Sequence, residues 1–508
     1  KASAGGGGQG IRKVEREDEL DGAIAAAARE AQAAFGDGRL LIEKFVTRPR
    51  HVEVQIAGDR HGQIVHLHER DCSVQRANQK LLEEAPAPNL SDAARTALHD
   101  YALRLSRAIG YDNLGTVEFL VDAGTQEVFF LEMNTRLQVE HPVTEAITGL
   151  DLVEWQIRIA AGEPLPLAQD EIPCNGHAIE ARITAERADE GFRPDIGTIR
   201  LWREPDGLRV DSGVATGSEI STHYDSLLAK LIAHAPDRAG AVRKLADGLD
   251  RMVVLGAGTV RPFLADALRQ PAFARGEATT LFIRETWPEG WAAQPVDAAR
   301  RNAVAAALWL TCRQDGAESG PWRSLAGFRL LAPAGRVASA HLSLTVAEAP
   351  ALVRVETHPG FLRVIGEGAA TDVVVRESGP GQWSVFVGGQ RAQAHAAIDA
   401  EGLFLSHGGF EGRVAISLAV ERDAAARTGT AEAGDAVRAA MPGTLAALHV
   451  GLGERVAAGQ VVAVLESMKL FMELKSPAAG TVTRLGAKPG ETVAAGAVLI
   501  AIEPDPTI

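Results

Sequence analysis

An internal repeat near the C-terminal end constrains the fold more than any other feature. Residues 443–466, GTLAALHVGLGERVAAGQVVAVLE, align without a gap with residues 480–503, GTVTRLGAKPGETVAAGAVLIAIE, at an offset of 37. Gly453/Gly490, Glu454/Glu491, Val456/Val493, Gly459/Gly496 and Val461/Val498 are identical pairs. Each copy reads as four short strands, too few to bury a face alone, so the two halves should pack as a flattened β-sandwich with quasi-two-fold symmetry. Between them lies ESMKLFMELKSPAA, which puts Met468 and Lys469 near the turn joining the halves. A lysine there protrudes.

The remainder divides by pattern. Residues 1–290 mix helical stretches with β-rich runs such as LLIEKFV, HVEVQIAG and EVFFLEMN, the pattern of an α/β or α+β body. Residues 291–420 begin with a helix-like stretch at about 298–314, carrying Val304, Leu308 and Trp309 on an apolar stripe that needs a partner. Short alternating runs follow (HLSLTV, LVRVE, FLRVIG, DVVVRE, WSVFVGG, GRVAISLAV), which predict a small antiparallel barrel. Residues 421–438 are rich in Ala, Gly and charge without alternation, as in a linker, and 439–505 hold the repeat.

Lysine plus arginine total 52 against 66 acids, a net charge of −14 that gives no reason to expect nucleic acid or an anionic membrane as partner. No run of 18 apolar residues or signal-peptide pattern occurs. The three cysteines, Cys72, Cys174 and Cys312, form no CxxC pair and leave one thiol over in any disulfide scheme, which suits a reducing compartment. A bacterial cytoplasm is expected, with a mitochondrial matrix as the alternative. The chain opens on KASAGGGGQG, inside what reads as a phosphate-binding loop without its preceding strand, so an N-terminal portion is expected to be missing.

The repeat around Ser467-Met468-Lys469-Leu470, with MPGT before it and SPAAGTV after it, resembles the biotinyl domain family. That family's usual motif is Ala-Met-Lys-Met; leucine at 470 keeps the volume and apolarity of the second methionine. The resemblance implies covalent biotin on Lys469, attached by a biotin protein ligase. Lipoylation is the rival, because the lipoyl domains share the symmetric fold; Met468 beside the lysine favours biotin.

Five segments of the larger body resemble the biotin carboxylase branch of the ATP-grasp enzymes: EKFVTRPRHVEVQ (43–55), HERDCSVQRANQKLLEEAPAP (68–88), GTVEFLVD (115–122), FLEMNTRLQVEHPVTEAITGLDL (130–152) and GHAIEARITAE (176–186). On chemistry alone, Glu118, Glu132 and Asn134 offer hard oxygen ligands for Mg²⁺ or Mn²⁺ on neighbouring strands. Arg136, Gln138 and Glu140 continue the alternation, where a guanidinium and an amide can hold bicarbonate and a carboxylate can take its proton. The resemblance implies those roles. It adds Lys80 and the backbone of Val139 for bicarbonate, Glu140 as base and Arg182 for the biotin enolate, with Glu140, Arg182, Arg136 and Lys80 as the catalytic set. For ATP it implies the phosphate loop with Lys1, Gly6 and Gly7, and Glu43, Lys44, Val46, His51 and Gln75 around the adenine and ribose. Asn78 stands where many relatives have His. His66 and His68 look like a metal pair but read equally as rim histidines of a strand, and Cys72 reads as structural.

The fold class implied is multidomain: an α+β ATP-grasp body, a helix-plus-barrel middle domain that docks another subunit, and a biotinyl sandwich. The order looks like the α subunit of an acyl-CoA carboxylase acting with a separate carboxyltransferase β subunit. The short barrel region is nearer the 3-methylcrotonyl-CoA type, with geranyl-CoA carboxylase as the alternative. A biotin carrier without catalysis is the reading from another class. Bicarbonate and ATP are the expected small partners.

Overall fold

The computed structural model describes residues 2–3, 12–315, 337, 339–346, 349–366, 369–399, 402–419, 436–439, 441–467, 470–494 and 496–504. Lys1, Gly6, Gly7, Met468 and Lys469 lie outside them.

The body is built on one eight-stranded sheet: β1 (Pro49–Gly58), β2 (Ile64–Arg76), β3 (Gln79–Ala85), β4 (Asn113–Asp122), β5 (Val128–Asn134), β6 (His177–Thr184), β7 (Arg209–Ser212) and β8 (Leu227–Ala235). Their order is β7-β8-β6-β3-β2-β1-β4-β5, and every pairing is antiparallel. This makes the body α+β. Helix α1 (Leu20–Phe35) precedes the sheet, while α2 (Asp92–Ala108) packs on β1 and β2. The Ser91 side chain caps α2 by accepting from the Ala94 N–H. Helices α3 (His141–Thr148) and α4 (Leu152–Ala160) cover β2, β6 and β4; α5 (Arg238–Arg251) and α6 (Arg261–Arg269) close the far end of the sheet. On β1 the side chains of Val52, Val54 and Ile56 enter an apolar core shared with Leu98 and Phe119. The intervening His51, Glu53 and Gln55 therefore point to the opposite face.

The run LLIEKFV is not a strand. Only Leu40 is bridged, to Ala2, and Ile42 and Phe45 are exposed, because no strand among the described residues offers the segment a ladder.

Helix α7 (Ala298–Asp315) and eight strands between Ser339 and Leu418 form the middle domain, and the strands close into a barrel in chain order. The seven consecutive residues Ala303 to Trp309 are all buried in one cluster with barrel residues such as Leu342, Val385, Leu403 and Val414. The helix plugs its own barrel. The expected interface stripe of Val304, Leu308 and Trp309 is thereby corrected: those side chains already have their partner.

The C-terminal module has two four-stranded sheets. Strands Gly443–Leu448, Arg455–Val456 and Val461–Ser467 recur as Gly480–Leu485, Thr492–Val493 and Val498–Pro504, each displaced by the offset of the sequence repeat. Strand Ala436–Arg438 joins the second sheet through Val498–Pro504. The symmetry reaches a backbone detail: a Cβ on Gly443 would strike the Glu466 carbonyl, and one on Gly480 would strike the Glu503 carbonyl. Both positions must be glycine for strands to pass this closely. Ser467 pairs with Leu470 across the hairpin formed by Val461–Ser467 and Leu470–Lys475.

Candidate active site

Register brings charged side chains from seven strands onto one face of the large sheet. Glu53 faces Arg70 across β1/β2 and Glu118 across β1/β4; Glu118 faces Glu132 across β4/β5. Toward the other edge, Glu83 faces Glu180 and Arg182 faces Lys230. Buried charges at this density stand only if they are paired and hydrogen-bonded.

Arg70 is the anchor. It is fully buried, and its five N–H groups meet five acceptors. Nε donates to Glu53 Oε1 at 2.6 Å, Nη1 to Gln55 Oε1 at 2.8 Å and Thr144 Oγ1 at 3.0 Å, and Nη2 to Thr116 Oγ1 at 3.3 Å and Gln138 Oε1 at 3.4 Å. A planar fork this fully engaged fixes β1, β2, β4, α3 and the Gln138 loop relative to one another.

Lys80 stands at the centre. Its ammonium donates to Glu53 Oε2 at 2.6 Å, Glu118 Oε1 at 3.0 Å and Glu140 Oε1 at 2.5 Å, so three donors meet three carboxylates. Burial works against the ammonium, yet Glu53 and the other acids outweigh it and hold Lys80 well above the usual lysine range. Burial likewise opposes ionisation of Glu53, but Lys80 and Arg70 bring its carboxyl down to about 2. The Glu118 carboxyl is also held low: burial raises it, and the close approach of His51 and the charge of Lys80 prevail. His51 Nε2 sits 3.0 Å from Glu118 Oε2 without a hydrogen bond between them.

Glu140 occupies the N-cap position of α3, where His141-Pro142 starts the helix. Its side chain caps nothing and instead lies between two cations, with Oε1 on Lys80 and Oε2 on Arg182 Nη2 at 3.0 Å. Arg182 Nε is held in turn by Glu83 Oε1 at 2.5 Å.

The sequence-predicted residues divide into two groups. Lys80, Glu118, Asn134, Gln138, Glu140 and Arg182 converge. Gln138 Nε2 donates to Glu118 Oε1 at 2.8 Å, and Asn134 Nδ2 lies 3.0 Å from Glu118 Oε1 and 3.4 Å from Glu132 Oε1. Arg136 is exposed, its guanidinium 3.3 Å from the Leu137 carbonyl. The expected alternation through residue 140 is corrected here: β5 ends at Asn134, and 135–140 is a loop leading into α3. Around the nucleotide end, Lys44 is exposed beside Glu127 and over the Phe129 ring, Glu43 is exposed, Val46 is buried, and Gln75 pairs with Lys80 at the β2/β3 hairpin. Asn78 forms the hairpin turn with Ala77, both at positive φ, a conformation asparagine tolerates well. Cys72 is fully buried with its sulfur near Glu53 and Glu140. His66 stacks on His99 of α2 at 3.8 Å, with no metal-ligand grouping around it among the described residues.

Sequence reasoning passed over Glu53, Arg70, Glu83, Glu180 and Lys230, whose Nζ donates to the Val139 carbonyl at 2.9 Å. The available signal was a charge at alternate positions of otherwise apolar strands, as in HVEVQ and HAIEARI.

Glu118, Glu132 and Asn134 fit a hard divalent cation: two carboxylates meet one amide, and turning that amide over presents Oδ1. The metal would supply charge for nucleotide phosphates.

Comparisons with known proteins identify the family. Family models match in three places: the carbamoyl-phosphate synthase L chain ATP binding domain over 1–168, the biotin carboxylase C-terminal domain over 180–285, and the biotin-requiring enzyme domain over 435–502. The methylcrotonoyl-CoA carboxylase subunit alpha, mitochondrial, of Dictyostelium discoideum is 37% identical over 506 residues, covering 96% of this chain and 71% of its own. The propionyl-CoA carboxylase alpha chain of Ruegeria pomeroyi is 46% identical over 331 residues, 60% of this chain and 48% of its own. Among solved structures, the biotin carboxylase domain of the Hydrogenobacter thermophilus 2-oxoglutarate carboxylase, in complex with ADP, MgADP and bicarbonate, superposes with a TM-score of 0.54 at 46% identity, covering 57% of this chain and 64% of that one. The body is thus an ATP-grasp biotin carboxylase joined to a biotin-carrying domain, a class whose cofactors are covalent biotin, ATP and Mg²⁺. The chain belongs to the α subunits of the biotin-dependent acyl-CoA carboxylases, which work with a carboxyltransferase subunit.

Proposed function

We propose that the chain uses ATP to carboxylate biotin on Lys469 and passes the carboxyl group to a separate β subunit that carboxylates 3-methylcrotonyl-CoA. The observation that carries the chemistry is Glu140 between Lys80 and Arg182. Each carboxylate oxygen accepts from one cation and keeps lone-pair capacity, so Glu140 can take the bicarbonate proton as the bicarbonate oxygen attacks the γ-phosphorus and ADP leaves. Lys80, Arg136, Gln138 and the Val139 backbone hold the bicarbonate. Carboxyphosphate then breaks down to carbon dioxide and phosphate, and the phosphate can take the N1 proton of biotin; biotin would supply the nitrogen that takes up the carbon dioxide, with Arg182 balancing the negative charge that develops on its ureido oxygen. Lys1, Gly6, Gly7, Glu43, Lys44, Val46, His51 and Gln75 serve ATP, and Glu118, Glu132 and Asn134 the metal.

The acyl-CoA assignment is supported by extent: methylcrotonoyl relatives of Dictyostelium discoideum and Oryza sativa match 96% and 99% of the chain, barrel and carrier included, while two other methylcrotonoyl relatives match 56% and the propionyl relative of Ruegeria pomeroyi 60%. The barrel's outer surface then docks the β subunit, since its interior is filled by α7. A biotin protein ligase modifies Lys469. The compartment is a reducing one, cytoplasm or mitochondrial matrix, consistent with three cysteines that form no disulfide. The co-purified complex assayed against a panel of acyl-CoAs tests the substrate: preference for 3-methylcrotonyl-CoA is expected, and preference for geranyl- or propionyl-CoA overturns it. Avidin signal should vanish in Lys469→Arg; persistence would assign biotin elsewhere.

A further inference from the structure

Behind Arg182 lies a buried acid for which the proposed chemistry has no use. Glu180 is fully buried on β6, directly paired with Glu83 of β3. Both Glu180 oxygens and Glu83 Oε2 are buried without a hydrogen-bond partner, while Glu83 Oε1 holds Arg182. Cross-strand partners stand close enough for their side chains to meet, so these three buried, unpartnered oxygens belong to side chains at facing positions of one sheet.

The surrounding charge does not balance two carboxylates. From its own strand Glu180 faces Arg182, which is shared with Glu83 and Glu140. From β8 it faces Lys230, which is bonded to the Val139 carbonyl and lies 3.5 Å from Asp211. From α3 comes Glu140, a further negative charge; His141 is bonded to the Gln138 carbonyl, and Glu145 is engaged by Arg209 and the Leu152 N–H. From β3 Lys80 also acts on Glu83, but its ammonium is already shared by Glu53, Glu118 and Glu140. Two ionised carboxylates here would repel with each nearby cation already engaged by other acceptors, whereas one proton between them removes the repulsion and satisfies two idle oxygens.

We propose that Glu180 is a positioning residue of the carboxylation site: as the neutral acid it donates its proton in a hydrogen bond to Glu83, which fixes the Glu83 carboxylate on Arg182 and so aims Arg182 at biotin. This rests on the reading of Arg182 as the group that meets the biotin enolate. Burial and then Glu83 push the Glu180 carboxyl well above its usual range. Glu83 is pushed up to about 7, burial exceeding the opposing pull of Arg182.

The test is carboxylation of free biotin by the holoenzyme as a function of pH. Glutamine at 180 keeps the volume and a neutral donor that cannot ionise. Above the pH at which the pair loses its proton, kcat/KM for biotin in the parent should fall relative to Glu180→Gln by about tenfold per pH unit. Glu180→Leu, which strips Glu83 of its donor, should raise the biotin KM about tenfold or more with the ATP KM unmoved, and Glu180→Gln should restore most of that loss. Parallel pH profiles for parent and Glu180→Gln overturn the shared proton; if Glu180→Leu does not fold, that comparison alone decides. A parental biotin KM in folded Glu180→Leu overturns the positioning role. Arg182→Gln separates the two levels: an unchanged biotin KM there defeats the reading of Arg182 itself, whereas a raised KM with inert Glu180 variants defeats only the role of Glu180.

Discussion

The large sheet and the barrel solve opposite problems with similar strands. On one face of the sheet, Glu53, Gln55, Arg70, Glu83, Glu118, Gln138, Glu140 and Glu180 are buried together. Inside the barrel the cluster is Leu, Val, Ala, Ile and Trp, with Ser343 and His407 the buried polar residues among its described strands. Apolar burial stabilises a fold without needing geometry, whereas buried charge costs desolvation and is offset only when each donor finds its acceptor. A molecule that maintains such a network at one face and a plain apolar plug elsewhere has placed its chemistry at that face.

The comparison breaks most visibly at Arg70. Replacing it with methionine leaves Glu53 fully buried with Lys80 as its remaining strong partner and strands four neutral acceptors, so loss of about 3–5 kcal/mol is expected in urea unfolding of the body. A loss below about 1 kcal/mol would mean that the network is wetter than the geometry implies. In the barrel, Leu308→Ala should cost about 2–5 kcal/mol through the cavity it leaves, while free-biotin carboxylation in the folded enzyme stays at the parental rate. A fall in that rate at full occupancy of the folded state would tie the barrel to the chemistry. The smallest effect concerns pH. Burial, then His99 and His68, lower His66 from 6.5 to about 3, so the folded state keeps it neutral where the unfolded chain protonates. Its contribution is complete above 6.5 and is lost as pH falls from there toward 3. Between about pH 6.5 and 5, where carboxylates remain ionised in the unfolded chain, the drop in Tm should be shallower in His66→Phe than in the parent.

The carrier module was legible strand by strand, because a gapless repeat imposes its offset on every strand and even on the paired glycines 443 and 480. Of the site, LEMNTRLQVE supplied Glu132, Asn134, Gln138 and Glu140. The partners that hold them, Glu53, Arg70 and Glu83, come from strands whose register no local pattern encodes. The plug helix misled for a related reason. A helix buried on all sides carries no single apolar stripe, so picking Val304, Leu308 and Trp309 out of an unbroken buried run from Ala303 to Trp309 created an interface the barrel had already filled. LLIEKFV has β-forming residues but no neighbouring strand among the described residues.

The proposed chemistry depends on Glu140 as the group that takes the bicarbonate proton. Bicarbonate-dependent ATP cleavage by Glu140→Gln tests it directly, since glutamine keeps the size and removes the base. Turnover should fall by about 10²–10⁴-fold with nucleotide affinity unchanged. Near-parental turnover would assign the proton to another group and contradict the account.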